Sequence, residues 1–463
     1  MSFQERVLET ATGAYERVLA RLNNGIAAGE NPALIVQPRN HDELQEALDL
    51  AHQKGLQISV CSGSHSALCS LSGTLMLDLS AGLNKITCHG DLVTVEAGAS
   101  MGALLEMLTP LGRMLPVGTS LTPGFGLLTM GGIGHLSRSL GLTVDHIEAI
   151  RGITANGQSL EIKADHSDQE LWMMLRGASV FLAVITEVTL KTDTRSKLHV
   201  IRHLCPIMQL QELINNAESL PEQESCSMIL GFCSDQTKPQ ILTYAVAAIE
   251  NQRTLMEFQR KPGGWSEIVA GQEELPEFEF PSHGGDVPPL EPPNPNRHQR
   301  IKTRVYSISV PRGVGQSISE VLTHLISSAP NRQCRIDLQH VGGVVNAVDL
   351  DSTAYRGRQA EWSIVVTAVF VPNDPSAAKS AIQWAEDCFA ALAQLANHYY
   401  IVQRHPESPT YHLELELAYG PILSALRRRQ QSFDPHGMLA PKPSERLNAN
   451  ESIAGIPISS ATE

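Results

Sequence analysis

The sequence predicts an α+β protein in two parts. Three observations carry this. The N-terminal half alternates short apolar strands with helices and holds two loops of small residues, at Val60–Ser66 and Met130–His135. Between residues 196 and 398 the order strand, helix, strand, strand occurs twice. Each helix there has a single apolar stripe, so it covers one face of a sheet and leaves the other face free to roof a site.

Bulk properties narrow the classes. A chain of 463 residues has room for two domains and a large core. Its 42% hydrophobic and 18% charged residues are ordinary for a globular protein. A net charge of −14 argues against nucleic acid or an anionic membrane as partner. No run of 18 apolar residues marks a membrane span. Met1–Leu19 carries Glu5, Glu9 and Glu16 and reads as an amphipathic surface helix rather than a secretory signal. The eight cysteines are scattered without a Cys-x-x-Cys pair, which favours reduced, buried thiols in a cytoplasmic protein and supports no metal site.

In the first half, Ala33–Gln37 is a strand. Asn40 with Glu43 has the spacing of a capping box, Leu44, Ala47, Leu48 and Ala51 repeat at helical spacing, and Gly55 closes the helix. Leu56–Val60 alternates as the next strand, so Ser62–Ser66 falls in the turn after it. Met76–Leu79 and Leu92–Ala97 are strands, and Ser100 opens a helix through Met107. Pro116–Gly134 has six glycines, two prolines and no charge, which predicts a largely irregular segment packed on something. Asn156-Gly157 makes a hairpin of Ala149–Thr154 and Ser159–Lys163, and Phe181–Leu190 is the last strand.

In the second half the expected strands are His199–Leu204, Met228–Cys233, Ile241–Val246, Arg304–Val310, Arg335–His340 and Ser363–Phe370. Helices follow from the apolar positions of 210–217, 318–325 and 378–392, the last opened by Asp374-Pro375. Lys261–Arg300 reads as a long surface loop. Within Arg335–His340, alternation turns Ile336 and Leu338 to the helices and puts Arg335, Asp337 and Gln339 on the other face, over a cavity or on a solvated edge.

These residues bring a family into view. Val60–Ser66, Asp78-Leu79, Val93–Gly98, Gly131–Gly141 with Asp145, and Leu175-Arg176-Gly177 with Val184–Val188 resemble an FAD-binding domain of the vanillyl-alcohol-oxidase, or PCMH, type. Leu338–Gly343, Thr353-Ala354-Tyr355 with Arg358, and Tyr419-Gly420 with Arg429 and Phe433-Asp434-Pro435 resemble the berberine-bridge-enzyme-like oxidoreductases. The resemblance implies a two-domain PCMH-type fold whose antiparallel substrate sheet is backed by helices. Its divisions are an N-terminal helix (1–29), an FAD-binding domain (30–195), a substrate domain (196–398) and a C-terminal return to the FAD domain (399–463).

It also implies a role for each loop. His65 falls where the family's histidine bonds the flavin, so FAD is expected, held covalently through His65 or packed beside it. Cys61 and Ser64 depart from the family's arginine and glycine, and Cys69 stands where glycine is common. No cysteine lies between Cys88 and Cys205, which excludes a second covalent link. Ser62, Gly63, Ser64, His65, Ser66, Gly124, Gly126, Gly131, Gly132, Gly134, His135 and Val184 are the expected cofactor contacts, and the glycines would offer backbone N–H groups to the pyrophosphate.

Candidate catalytic residues are Tyr306, Asp337, Gln339 and Tyr400, with Arg335 or Arg304 as the cation a tyrosine base needs. The expected reaction removes hydride from a C–H of an alcohol, amine, sugar or secondary metabolite, with dioxygen or another acceptor reoxidising the cofactor. A dehydrogenase using a different acceptor and a degenerate FAD- or ligand-binding protein remain as alternatives, the latter because of Cys61, Ser64 and Phe181. The oligomeric state is not legible.

Overall fold

The computed structural model describes residues 3–22, 31–118, 123–194, 198–232, 237–248, 273–274, 301–402, 404–406 and 408–440. Cys233, Thr119 (where the family's second flavin-linking cysteine would stand) and nearly all of the loop 261–300 lie outside these residues. Among the described residues no helix is long and apolar enough to cross a membrane.

A four-stranded sheet begins the chain, with β1 (Val7–Glu9), β2 (Leu34–Val36), β3 (Ile58–Cys61) and β4 (Leu75–Asp78) in the order β1-β2-β4-β3. Strands β2, β4 and β3 run parallel. The expected helix over Met1–Leu19 is corrected: Phe3–Arg6 is a 3-10 turn, β1 pairs antiparallel with β2, and only Gly13–Ala20 is α-helical. The helix His41–Lys54 starts as expected, with the Asn40 side chain accepting the Glu43 N–H at 2.9 Å, and Gly55 ends it at φ 62°. Its capping box is incomplete, because the Glu43 carboxylate turns back to the Arg39 N–H instead.

A five-stranded antiparallel sheet follows, formed by β5 (Ile86–His89), β6 (Leu92–Glu96), β8 (Ile147–Thr154), β9 (Ser159–Lys163) and β10 (Ala183–Lys191) in the order β5-β6-β10-β8-β9. A small ribbon pairs β7 (Arg113–Met114) with β11 (Asp193–Thr194). The expected irregular segment is partly helical, over Phe125–Met130, and almost wholly buried where described.

The second half makes one eight-stranded sheet from β12 (Leu198–Pro206), β13 (Ser225–Gly231), β14 (Gln240–Ala248), β15 (Glu273–Glu274), β16 (Lys302–Val310), β17 (Arg335–His340), β18 (Trp362–Phe370) and β19 (His398–Tyr399). The order β15-β12-β14-β13-β17-β18-β16-β19 shows the duplication directly. In each copy the first strand pairs with the third and the third with the second, and the two second strands, β13 and β17, meet at the centre. Strand β17 is therefore central, and the solvated-edge reading of Arg335, Asp337 and Gln339 falls. Helices Leu210–Glu218, Gly315–Ser327 and Pro375–Ala393 cover one face of this sheet. Their partners are the fully buried Met228, Leu230, Ile336, Leu338, Ile364 and Val366, each worth roughly 1.5–3 kcal/mol of burial.

Candidate active site

Strand β3 delivers the chain into the Ser62–Ser66 turn. Ser64 sits there at φ 61°, a left-handed conformation that costs a non-glycine residue roughly 1–2 kcal/mol. The Ser62 hydroxyl donates to the Ala97 carbonyl at 2.5 Å and accepts the Phe125 N–H at 3.1 Å, joining this turn to the end of β6 and to the helix Phe125–Met130. A Cβ on Gly124 would strike the Ser62 hydroxyl and lie 2.7 Å from the Gly63 nitrogen, so only glycine lets the two loops touch.

Between them lies a cavity of about 230 Å³. Ser62, Gly63, Ser64, His65, Ser66, Gly124, Gly126 and Val184 all line it. Burial pushes the His65 imidazole down to about 4, so the ring is neutral at physiological pH and keeps a nitrogen lone pair. A Cβ on Gly126 would meet nothing within 4 Å, which leaves that part of the wall open.

The second glycine cluster has another task. Gly131, Gly132, Gly134 and His135 do not line this cavity. The Gly132 N–H donates to the Tyr400 hydroxyl at 2.8 Å, and the Gly134 N–H to the Ser137 hydroxyl at 2.9 Å, so neither is offered to a pyrophosphate. Gly132, at φ 82°, packs directly on Thr143, and Gly131 has no room for a side chain beside Tyr400. His135 is buried 6.0 Å from the Tyr244 ring on β14, at the seam with the large sheet, and burial pushes it down to about 4.

The uncovered face of the large sheet meets this same seam. Val246 on β14 packs with Met114 and Leu136, and the Ser225 hydroxyl on β13 donates to the His135 carbonyl. Asp337 and Gln339 are on this face, each half-buried, opposite Val365 and Ser363 of β18. Neither lines the 230 Å³ cavity. One Asp337 oxygen accepts from the Arg335 guanidinium at 3.2 Å, and the other is buried without a hydrogen-bond partner among the described residues.

Two tyrosines are corrected. Tyr306 shares its face with Ile308 and Val310, toward the helices, where its ring lies 5.0 Å from Phe389 and its hydroxyl bonds Ser408 at 2.8 Å. It is walled off from the seam. Tyr400 does reach the seam, but burial raises its phenol well above the usual range and its oxygen already accepts the Gly132 N–H. It is a proton-bearing structural group, not a base.

Comparison with known proteins decides the family of this cavity. An FAD-binding domain model matches residues 32–163, the segment that builds the His65 loop. An FAD-linked oxidoreductase of Dictyostelium discoideum is 24% identical over 413 residues, covering 87% of this chain and 86% of its own length. The chain is an FAD-linked oxidoreductase of berberine-bridge-enzyme-like fold. Among solved structures, wild-type BBE-like 1 of Physcomitrella patens aligns with a TM-score of 0.78 at 19% identity, covering 97% of this chain and 100% of its own. The 6-hydroxy-D-nicotine oxidase of Arthrobacter nicotinovorans aligns at 0.77 and 18%, covering 96% and 97%.

FAD is the oxidoreductase's cofactor, and the residues present fit it. The two loops give the cavity small residues that let backbone approach a ligand closely, apolar side chains such as Ile58, Leu68, Leu79, Phe125 and Ile185 complete the wall, and His65, the histidine among the described lining residues, is neutral. The segment after Asp434-Pro435 also contributes: Leu439 and Ala440 line the cavity, because the Ile58 N–H donates to the Met438 carbonyl and the Ala440 N–H to the Ile58 carbonyl, both at 2.7 Å. Val402 and Arg404 line it too. Arg404, stacked 4.9 Å from the Phe181 ring, is the cation among the described lining residues. Sequence reasoning missed these four. A lone arginine just past Tyr400 and an apolar pair after Asp434-Pro435 were the available signals.

Proposed function

We propose that this oxidoreductase removes a hydride from a C–H of an alcohol, amine, sugar or secondary metabolite bound between the large sheet and the His65 cavity. Bound FAD would supply the hydride acceptor. Asp337 would take the accompanying proton at its unpartnered carboxylate oxygen, while Arg335 holds the other oxygen. Gln339 would orient the substrate from the same face. The observation that carries this reading is that buried, unpaired oxygen on the one sheet face turned to the seam, since such a group is costly unless it has a ligand to serve. Reoxidation by dioxygen and by another acceptor both fit the chain.

The test is Asp337→Asn in the FAD-loaded enzyme. Once a substrate panel has identified a compound that bleaches the flavin, this variant is expected to slow bleaching roughly 10²–10⁴-fold with the resting spectrum unchanged. Bleaching at the wild-type rate would remove Asp337 from the reaction. Peroxide released on turnover would mark an oxidase, and its absence in air a dehydrogenase.

The division at 30, 196 and 399 is proposed on the same grounds as the reaction. Residues before 195 and after 399 build the cavity, and those between build the sheet above it. We also propose that His65 is bonded to the flavin, supported by its neutral ring in the cavity wall. Yellow colour should then survive acid precipitation in the wild type and be lost to the supernatant in His65→Ala. Colour that washes out of both would show a non-covalent cofactor. A reducing, cytoplasmic setting is proposed from the scattered, unpaired spacing of the cysteines.

A further inference from the structure

Two departures from the family pattern, at positions 61 and 69, turn out to be neighbours. Cys61 closes β3 and Cys69 ends the 3-10 turn Ala67–Cys69, so the two bracket the loop that carries His65. Both are free and buried, in one small cluster with Tyr15, Val18, Leu19, Ile35 and Met76. Both side chains pack in that one cluster, the Cys61 sulfur lies 3.8 Å from the Ser64 hydroxyl, and the Cys69 N–H donates to the Ser66 carbonyl at 3.2 Å. Cys69 lines the cavity beside His65, which gives small solutes a route to it.

We propose that Cys61 and Cys69 form a reversible disulfide that closes residues 61–69 into a ring around His65, with hydrogen peroxide as the oxidant. In the first step the Cys69 sulfur attacks one peroxide oxygen. The O–O bond breaks, and the thiol proton leaves with the displaced hydroxide as water, giving a sulfenic acid. The Cys61 sulfur then attacks the Cys69 sulfur. The S–S bond forms, the S–O bond breaks, and hydroxide departs as water with the Cys61 proton. Two thiols are oxidised by two electrons and one peroxide is reduced to two waters.

The Cys61 side chain and burial hold the Cys69 thiol well above the ordinary thiol range, so little thiolate is present and its oxidation is slow until peroxide accumulates. An oxidising turnover at this cofactor would generate peroxide in the adjoining space. The ring would then tighten the one loop whose histidine faces the cavity and whose Ser64 is held in a strained conformation.

The test treats the FAD-loaded enzyme with peroxide, unfolds it in guanidinium chloride, blocks free thiols by alkylation and digests with trypsin. No Lys or Arg lies between Lys54 and Lys85, so both cysteines fall in the peptide 55–85. The expected peptide has lost two hydrogens, resists alkylation at both cysteines, and regains both thiols with dithiothreitol. Cys69→Ser should abolish the product and leave Cys61 open to alkylation. Full alkylation of Cys61 and Cys69 after treatment would overturn the proposal, as would sulfinic acid at either or a bond from either to another cysteine. The readout is the thiol state itself, so it is independent of whether His65 carries flavin and of which residue is the base.

Discussion

Arg138 reaches from the segment after the glycine cluster into the large sheet, and replacing it by methionine tests how the two halves are held together. Its guanidinium is 3% exposed and donates to the Glu224 carbonyl at 2.7 Å, the Val341 carbonyl at 2.8 Å and the Glu361 carboxylate at 2.8 Å. The same Glu361 oxygen also contacts the His340 ring at 3.0 Å. Burial pushes His340 down to about 4 and the Cys226 N–H donates to its Nδ1, so the ring is neutral and its Nε2 carries the proton. Burial pushes Glu361 upward, but His340 and Arg138 outweigh it and hold the carboxyl below its usual range. Glu361 is therefore ionised, and Arg138→Met leaves that charge buried without its cation. Such a loss costs about 3–5 kcal/mol. At about 2.1 cal/mol/K per residue this is a fall in Tm of roughly 3–5 °C if the chain melts as one unit. Adding Glu361→Leu removes the stranded charge and should recover most of the loss, less about 1–3 kcal/mol for the His340 N–H left without an acceptor. Scanning calorimetry of the two single variants and the double variant completes the cycle. A single variant within 1 kcal/mol of wild type, or a double variant whose loss is the sum of the singles, would refute the reasoning.

Two further perturbations follow from the same coordinates. Gly132→Ala puts a methyl group into Thr143 at φ 82°, so a loss of about 2–5 kcal/mol is expected from strain and overpacking together, read by chemical denaturation; wild-type stability would show that the turn relaxes freely. Burial pushes the Glu414 carboxyl up to about 7, so its proton is kept by the native chain and released by the unfolded one between about pH 4.5 and 7. Its contribution is then whole below pH 4.5 and lost as pH rises through 7, and Glu414→Gln, which mimics the protonated form, should match wild type near pH 4.5 and exceed it by about 3 kcal/mol at pH 7.5. The difference between the two proteins isolates this carboxyl, because Glu224 and the buried histidines titrate in both. Parallel urea-stability profiles would contradict it.

Most strands were legible because each half of the chain writes its burial as period-two alternation. Arg335–His340 is the clearest case: the expected faces and the observed ones agree residue by residue. The same rule, extended to Tyr306, would have grouped it with Ile308 and Val310 under the helices. It was misplaced because a tyrosine invites a chemical role before its parity is counted. The N-terminus failed for a different reason. Val7–Glu9 is a strand only because β2 lies beside it, and pairing of that kind leaves no local pattern. The glycine cluster was found as a glycine cluster but given the wrong partner. Gly132 bonds Tyr400, 268 positions away, and no spacing rule reaches that far. The His65 loop was readable because everything it needs is contiguous, whereas Arg404, Leu439 and Ala440 join the cavity only after the chain has folded back.

Beside the Ser225–His135 bond, three further polar links tie the segment from Gly131 to Asp145 to the second half of the chain. Gly132 donates to Tyr400, whose own N–H donates to the Ser307 carbonyl on β16 at 2.8 Å. Arg138 pairs with Glu361 at the start of β18, and Asp145 takes a forked pair of bonds from Arg358 at 2.6 and 2.9 Å. Buried polar pairs like these add little net stability compared with apolar packing, and their directional geometry fixes register instead. That division of labour suits a site whose two walls come from different sheets. Apolar contacts such as Val246 with Leu136 bring the two sheets together, and in the proposed site the three polar links would set the height and angle of the Asp337 face relative to the His65 cavity. Because a 1 Å shift between reacting groups costs about 10²-fold in rate, changes at Arg138, Arg358 or Tyr400 should be felt in turnover even where the cofactor is still bound.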